Sequence, residues 1–457
     1  MNTKAHISIC LILLCTICLS CEKLIEVELP NNQIISSQVF QDTQTADAAL
    51  ANLYAGLRDT APLAGTANST GALLGTYTDD LDSFSPVANS VYDIFQNQQL
   101  DTNIILQSYW ASTYQLIYRA NAIIEGIETS IAIPQNDKNR IKGEALLIRS
   151  ILHFYLHQIY GDIPYVTITD YQINKSLSKT AETDVLPKIE NDLNQSVALL
   201  ADAYRNSERI YLNKKVAELM LAKIYLLQNR NADAESVLKN IVQSPLYQFE
   251  NDINKVFLKT GGHILWQLKP ANSGDPTKEA LTYYFSGAAP SGYALSQNLL
   301  NIFAATDLRK INWMASVTVG SNTWYRANKY KNRTNNNTEY SIVFRLEEVY
   351  LLLAETLVKQ NKLVEALPYV NATRSRAGLT TLINVNSQST LLNEILLESR
   401  KEFFTEMGHR FLDLKRYGRL SDLTSAKPNW KTYHNRWPLP QKELLLNSNL
   451  NPQNPGY

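Results

Sequence analysis

The stretch VAELMLAKIYLLQNRNADAESVLKNIV, residues 216–242, decides how the chain is read. Its first half is apolar nearly all round, so a helix there must be covered on both faces. Asn229, Arg230 and Asn231 make a turn. Ala234, Val237, Leu238, Ile241 and Val242 then recur at three and four, the stripe of a second helix. Pro245 closes the unit.

This helix–turn–helix matches the tetratricopeptide repeat, a unit of about 34 residues. Ala222 takes the small position of the first helix, Tyr225 the aromatic one, and Ala234 the small position of the second. A second copy spans 350–373, where Ala354 and Ala366 have the same separation and Leu353 precedes Ala354 as Leu221 precedes Ala222. Small residues there let paired helices approach closely. Pro368 falls inside the second helix of that copy, which predicts a late start or a kink. Between the copies, residues 247–344 carry Gly/Pro turn clusters at 261–262, 272–276 and 289–292. HILWQLK (263–269) and TWYRANKY (323–330) alternate like strands.

Upstream, helical patterns cover 46–57, 110–127, 139–160 and 186–200, and Gly161-Asp162-Ile163-Pro164 stops the third. Residues 61–99 show no sustained period and read as a long structured loop region, the kind that carries function. The expected fold is mostly α: tetratricopeptide-like helix pairs within about 46–245 and 343–420, a loop-rich ligand region at about 61–99 and 247–342, and a few short strands. Residues 39–457 read as a single domain.

Lys+Arg and Asp+Glu both number 43, so no basic excess marks a nucleic-acid partner. All four cysteines, Cys10, Cys15, Cys18 and Cys21, lie in the first twenty-one positions. Residues 7–19 form an apolar run too short to span a bilayer and suited to a signal peptide. The run ends at Ser20-Cys21, which resembles a lipoprotein signal, with Cys18 where a Leu is commoner. This divides the start into a signal peptide (1–20), a lipidated Cys21 and an extended tether (21–38). The mature chain then has no disulfide, and its size makes that tolerable.

Four segments together resemble the SusD/RagB family of nutrient-binding outer-membrane lipoproteins. They are IKGEALLIRSILHFYLHQIYGDIPYV (141–166), FRLEEVYLLLAETLVKQNKLVEALPYVNATRSRAGL (344–379), LLESRKEFFTEMGHRFLDLKRYG (396–418) and WPLPQKELLLNSNLNPQNPGY (437–457). The resemblance implies four repeat-like helix pairs, an irregular region holding the ligand site, and a lipid anchor at the cell surface. It also implies a partner, a SusC-like TonB-dependent barrel on which the protein forms a lid and to which it delivers oligosaccharides, sometimes peptides. It implies no catalysis and no cofactor.

No nucleotide loop or zinc-protease motif is found, and no CxxC pair lies in the chain after Cys21. His153 and His157 share a helical face, but no third metal ligand is implied. Asp79, Asp80 and Asp82 allow three readings: a hydrolytic pair, a solvated turn, or acceptors for sugar hydroxyls. The third is taken for Asp79 and Asp80, beside Tyr77. Calcium has no loop spacing to support it there. Sugars stack apolar faces on aromatic planes while polar neighbours fix their hydroxyls. Aromatics in irregular polar stretches are therefore the candidates: Tyr77, Phe84, Tyr92, Tyr283, Tyr284 and Trp324. Tyr155, Tyr225, Tyr350, Trp266, Trp313, Trp430 and Trp437 read as scaffold. No Trp-rich insertion widens the site. The expected function is oligosaccharide capture; the rivals are a peptide-binding relative, a secreted glycoside hydrolase and a purely structural repeat scaffold.

Overall fold

In the computed structural model, which describes residues 39–457 apart from Ala61 and Asn384, the helices form one continuous row. The expected signal peptide (1–20), the expected lipidation at Cys21 and the expected tether lie outside the described residues. Helix α1 (Thr43–Asp59) starts at Asp42, whose carboxylate accepts the Gln44 and Thr45 N–H groups, and buries Ala46, Leu50, Leu53 and Leu57 along one stripe. After α2 (Thr70–Tyr77) come two long helices, α3 (Ile104–Thr129) and α4 (Gln135–Tyr160), packed on each other. Gly161, at φ 79°, ends α4 in a conformation that a side chain would strain. Helix α5 (Glu182–Leu199) packs on α4 and on α6 (Lys214–Leu227), and α6 packs on α7 (Asn231–Val242).

The chain then leaves the row for about a hundred residues and returns beside the point of departure. Helix α8 (Leu346–Lys359) packs on α7 and is followed by α9 (Leu363–Arg376), α10 (Gln388–Phe403) and α11 (His409–Arg416). The two repeat copies, distant in sequence, are neighbours in space. Ala222, Ala234, Ala354 and Ala366 are all fully buried. Both copies turn on an asparagine with positive φ, Asn229 at 59° and Asn361 at 61°, the residue type that best tolerates this region after glycine. Polar ties join the two copies: Lys223 on α6 meets Glu348 on α8 at 2.6 Å, and Lys362 in the turn after α8 meets Glu235 on α7 at 2.6 Å.

Two expectations need correction. Pro368 does not delay its helix: α9 starts at Leu363, directly after the Asn361 turn, and runs through it. The proline forgoes only the bond to the Val364 carbonyl. Residues 61–99 are also more regular than expected. They contain α2, strand β1 (Leu81–Ser83) and a short helix (Ser90–Phe95). Every residue of α2 is buried, so its sequence shows no amphipathic period. Gly71 within it sits so close to the Thr405 carbonyl that a Cβ would lie 2.6 Å from that oxygen.

The excursion has its own small core, with Phe257, Trp313, Ile342 and Phe404 among its members. Strands β2 (Ile264–Leu268) and β6 (Ser341–Arg345) pair antiparallel where the excursion leaves and rejoins the row. Strand β3 (Tyr293–Leu295) pairs with β1. Strands β4 (Met314–Val319) and β5 (Asn322–Ala327) form a hairpin with Val317 opposite Trp324. Among the described residues no helix is long and apolar enough to cross a membrane. Overpacking the helix seam tests the repeat reading: Ala354→Leu is expected to cost about 1–3 kcal/mol in chemical denaturation, because the site has no spare volume.

Candidate functional site

Strand β5 sorts its side chains by alternation. Tyr325 and Ala327 pack towards the small core, which leaves Trp324 and Arg326 on the opposite face, roughly 7 Å apart along the strand. Phe84 follows β1 and extends its pairing by one bond, donating its N–H to the Gly292 carbonyl at 2.7 Å. Its ring meets Trp324 edge-on, with centroids 6.4 Å apart and planes at 89°. Phe84 is 37% exposed and Trp324 half-buried. On the other side, Arg326 lies over the Tyr284 ring at 4.5 Å, and Arg333 lies over the same ring at 3.5 Å. The Tyr284 hydroxyl donates to Ser286 Oγ at 2.8 Å. That bond, then the Arg333 and Arg326 charges, hold it below the usual phenol range. Phe84, Trp324, Arg326, Tyr284 and Arg333 thus form one accessible strip.

Four of the expected ligand contacts lie elsewhere, in the interior. Tyr77 is fully buried, packs on Phe411, Trp430 and Trp437, and donates its hydroxyl to the His434 carbonyl at 2.9 Å. It is a packing residue. Tyr283 is 5% exposed, in the small core, with its hydroxyl near the Thr405 carbonyl. Asp79 takes a two-pronged contact from Arg410, at 2.8 and 3.1 Å, and a third from Arg400 at 3.0 Å. Burial pushes its carboxyl up, but the two guanidiniums outweigh burial and hold it low. Asp80 accepts from Arg400 Nε at 2.8 Å and is 2% exposed. Both carboxylates are committed to arginines. Their effect on the strip is indirect: with Ser296, which donates to the Asp79 carbonyl, they anchor the start of β1 and so set where Phe84 emerges.

Tyr92 is half-buried and meets Phe95 at 6.1 Å, with no ring contact to Phe84 or Trp324. Asp82 lines a separate concavity of about 290 Å³ with Asn97, Asn298 and Lys427, at whose edge Asp79 also lies. The four scaffold tryptophans, Trp266, Trp313, Trp430 and Trp437, are all at most 5% exposed. His153 stacks on Tyr165 at 4.1 Å, and burial keeps its imidazole neutral, far below the usual range. Reading by residue class passed over Arg326 and Arg333. Strand alternation puts Arg326 on Trp324's face; Arg333 sits in a polar loop with no local signal.

With this geometry in view, comparison with known proteins is decisive. Residues 29–226 match a family described as starch-binding and associating with the outer membrane, and residues 269–457 match the SusD family. The chain belongs to the SusD/RagB family of outer-membrane nutrient-binding proteins. It is 24% identical to SusD-like protein P25 of Formosa agariphila, over 94% of each chain. A SusD superfamily protein from Bacteroides vulgatus superposes with a TM-score of 0.78 at 20% identity, covering 92% of this chain and all of that one. Surface glycan-binding protein A from Bacteroides thetaiotaomicron, solved with laminarihexaose, superposes at 0.76 and 18% identity, covering 90% of this chain and 99% of its own. SusD/RagB proteins are binding proteins without catalytic activity.

Within this SusD/RagB fold, Glu279 makes stability depend on pH. It lies on the short helix Lys278–Thr282 just before Tyr283 and Tyr284, largely buried, and accepts from Ser341 Oγ. Burial pushes its carboxyl from an ordinary value of 4.5 up to about 7. The folded chain therefore holds a proton that the unfolded chain releases, and stability falls as pH rises through that interval. Glu279→Gln is expected to gain about 3 kcal/mol on the wild type between pH 4.5 and 7 in denaturation titrations.

Proposed function

We propose that the Phe84–Trp324–Tyr284 strip captures oligosaccharides at the cell surface and that the protein, anchored through Cys21, delivers them to a SusC-like TonB-dependent barrel. The perpendicular Phe84–Trp324 pair on an accessible face carries this reading. Aromatic planes offer flat apolar area to the C–H faces of a sugar, and flanking polar groups fix its hydroxyls. The relative solved with laminarihexaose, and another described as a laminarin-binding SusD-like protein, share this fold. A hydrolytic reading has little support, because Asp79 and Asp80 are held by Arg400 and Arg410.

Calorimetric titration with neutral and charged oligosaccharides tests the ligand. Trp324→Ala is expected to weaken binding at least about tenfold, the equivalent of 1.4 kcal/mol, and Tyr77→Phe to leave it unchanged. Binding of peptides with no oligosaccharide bound would reject the sugar reading. The partner is tested separately: affinity purification of the tagged chain from the outer membrane should bring down a TonB-dependent barrel, and recovery of the chain alone would reject the pairing.

A further inference from the structure

We propose that the strip is built for an anionic saccharide, one carrying carboxylate or sulfate groups, with Arg326 and Arg333 as the residues that hold the charge. This rests on the strip being the glycan site and adds the class of glycan. The observation behind it is where paired and unpaired arginines lie. Among the described residues, most arginines meet a carboxylate within 4.0 Å: Arg309, Arg345, Arg376, Arg400, Arg410 and Arg416 all do so in the interior. Arg209 instead donates to three backbone carbonyls, and Arg119 to Asn52 on α1.

Arg326 and Arg333 differ from all of these. Neither meets a carboxylate among the described residues, and both stack on one ring, Tyr284. Arg326 donates Nη1 to Asn328 at 3.1 Å, while its buried Nε meets no acceptor among the described residues. Arg333 is exposed and has only the ring. Two like charges on one ring repel, and a half-buried guanidinium with a free donor is costly. The Tyr284 face offsets part of that through cation–π attraction. The donors that each guanidinium leaves free offer the paired contacts through which arginine binds carboxylate or sulfate oxygens. Trp324, next to Arg326 on the same face of β5, offers the stacking plane for the sugar ring bearing that charge. In a chain with equal numbers of acidic and basic residues, this leaves local positive charge beside the accessible Phe84–Trp324 pair.

The test titrates the full chain with three probes of similar length: oligogalacturonate for carboxylate, a carrageenan-type oligosaccharide for sulfate, and laminarihexaose as the neutral control. At least one charged probe is expected to bind about tenfold tighter than the neutral one and to weaken with added salt. Arg333→Gln, on an exposed loop where folding is not at stake, should remove most of that advantage, bringing the ratio of charged-probe to laminarihexaose affinity close to one. Arg326→Gln should act likewise, and Arg333→Lys should keep part of it. The two charged arms show which anion is taken. Equal affinity for all three probes, lost in Trp324→Ala but not in the arginine variants, would overturn the inference and leave the glycan site standing. No binding of any saccharide, or binding of an acidic peptide alone, would overturn both.

Discussion

Glu402 is the residue on which the excursion and the helix row converge. Fully buried on α10, it accepts from Arg345 at the end of β6, from Arg376 at the end of α9, and lies 3.4 Å from Arg309 on the excursion. Arg309 is itself held by Asp307 and Glu398, and Arg345 by Glu406. Burial alone would push the Glu402 carboxyl up; Arg376, Arg345 and Arg309 together overwhelm it and hold it far below the usual range. Such a cluster need not beat an apolar core in stability, but removing one member strands a buried charge at about 3–5 kcal/mol. Its consequence is positional. A loop-rich segment of about a hundred residues, with only small two-stranded sheets of its own, is fixed against rigid helices at one buried point.

The Asp79–Asp80 pair repeats that arrangement from the other side. Arg400 lies on α10, two residues before Glu402, and Arg410 on α11. The same two helices therefore hold both ends of the site: Glu402 fixes β6 and the excursion, and the two arginines fix the lead into β1. Since β1 pairs with β3 and Phe84 bonds to Gly292, the clamp decides where the first ring of the strip stands. The segment 396–418, which reads as a family signature in sequence, is the origin of these clamps.

This explains what was legible in the sequence and what was not. Amphipathic helices such as α7 announce themselves by period, and the paired alanines gave away both repeat copies. Helix α2 could not be read, since a segment buried on every side carries no stripe. Asp79 and Asp80 looked like ligand contacts because their partners are more than three hundred residues away, beyond any local pattern. Tyr77 and Tyr283 shared a polar, irregular neighbourhood with Phe84 and Tyr284, and local composition cannot tell the residue that turns inward from its neighbour that turns out. Tyr283 and Tyr284 are adjacent, one buried in the small core and the other on the surface.

The separation of clamp from contact has a functional side. The ionic groups that fix the fold near the site are paired and buried or nearly so, whereas every strip residue is at least partly accessible and comes from β5 or from a loop. Phe84 follows a three-residue strand; Tyr284 and Arg333 come from segments 283–292 and 328–338, which the clamps hold at their bases but do not enter. Changes in those loops can alter which ring or charge the surface presents while Glu402, Asp79 and Asp80 keep their partners. A scaffold shared at about 20% identity with its solved relatives can in this way keep its helix row and still present a different surface.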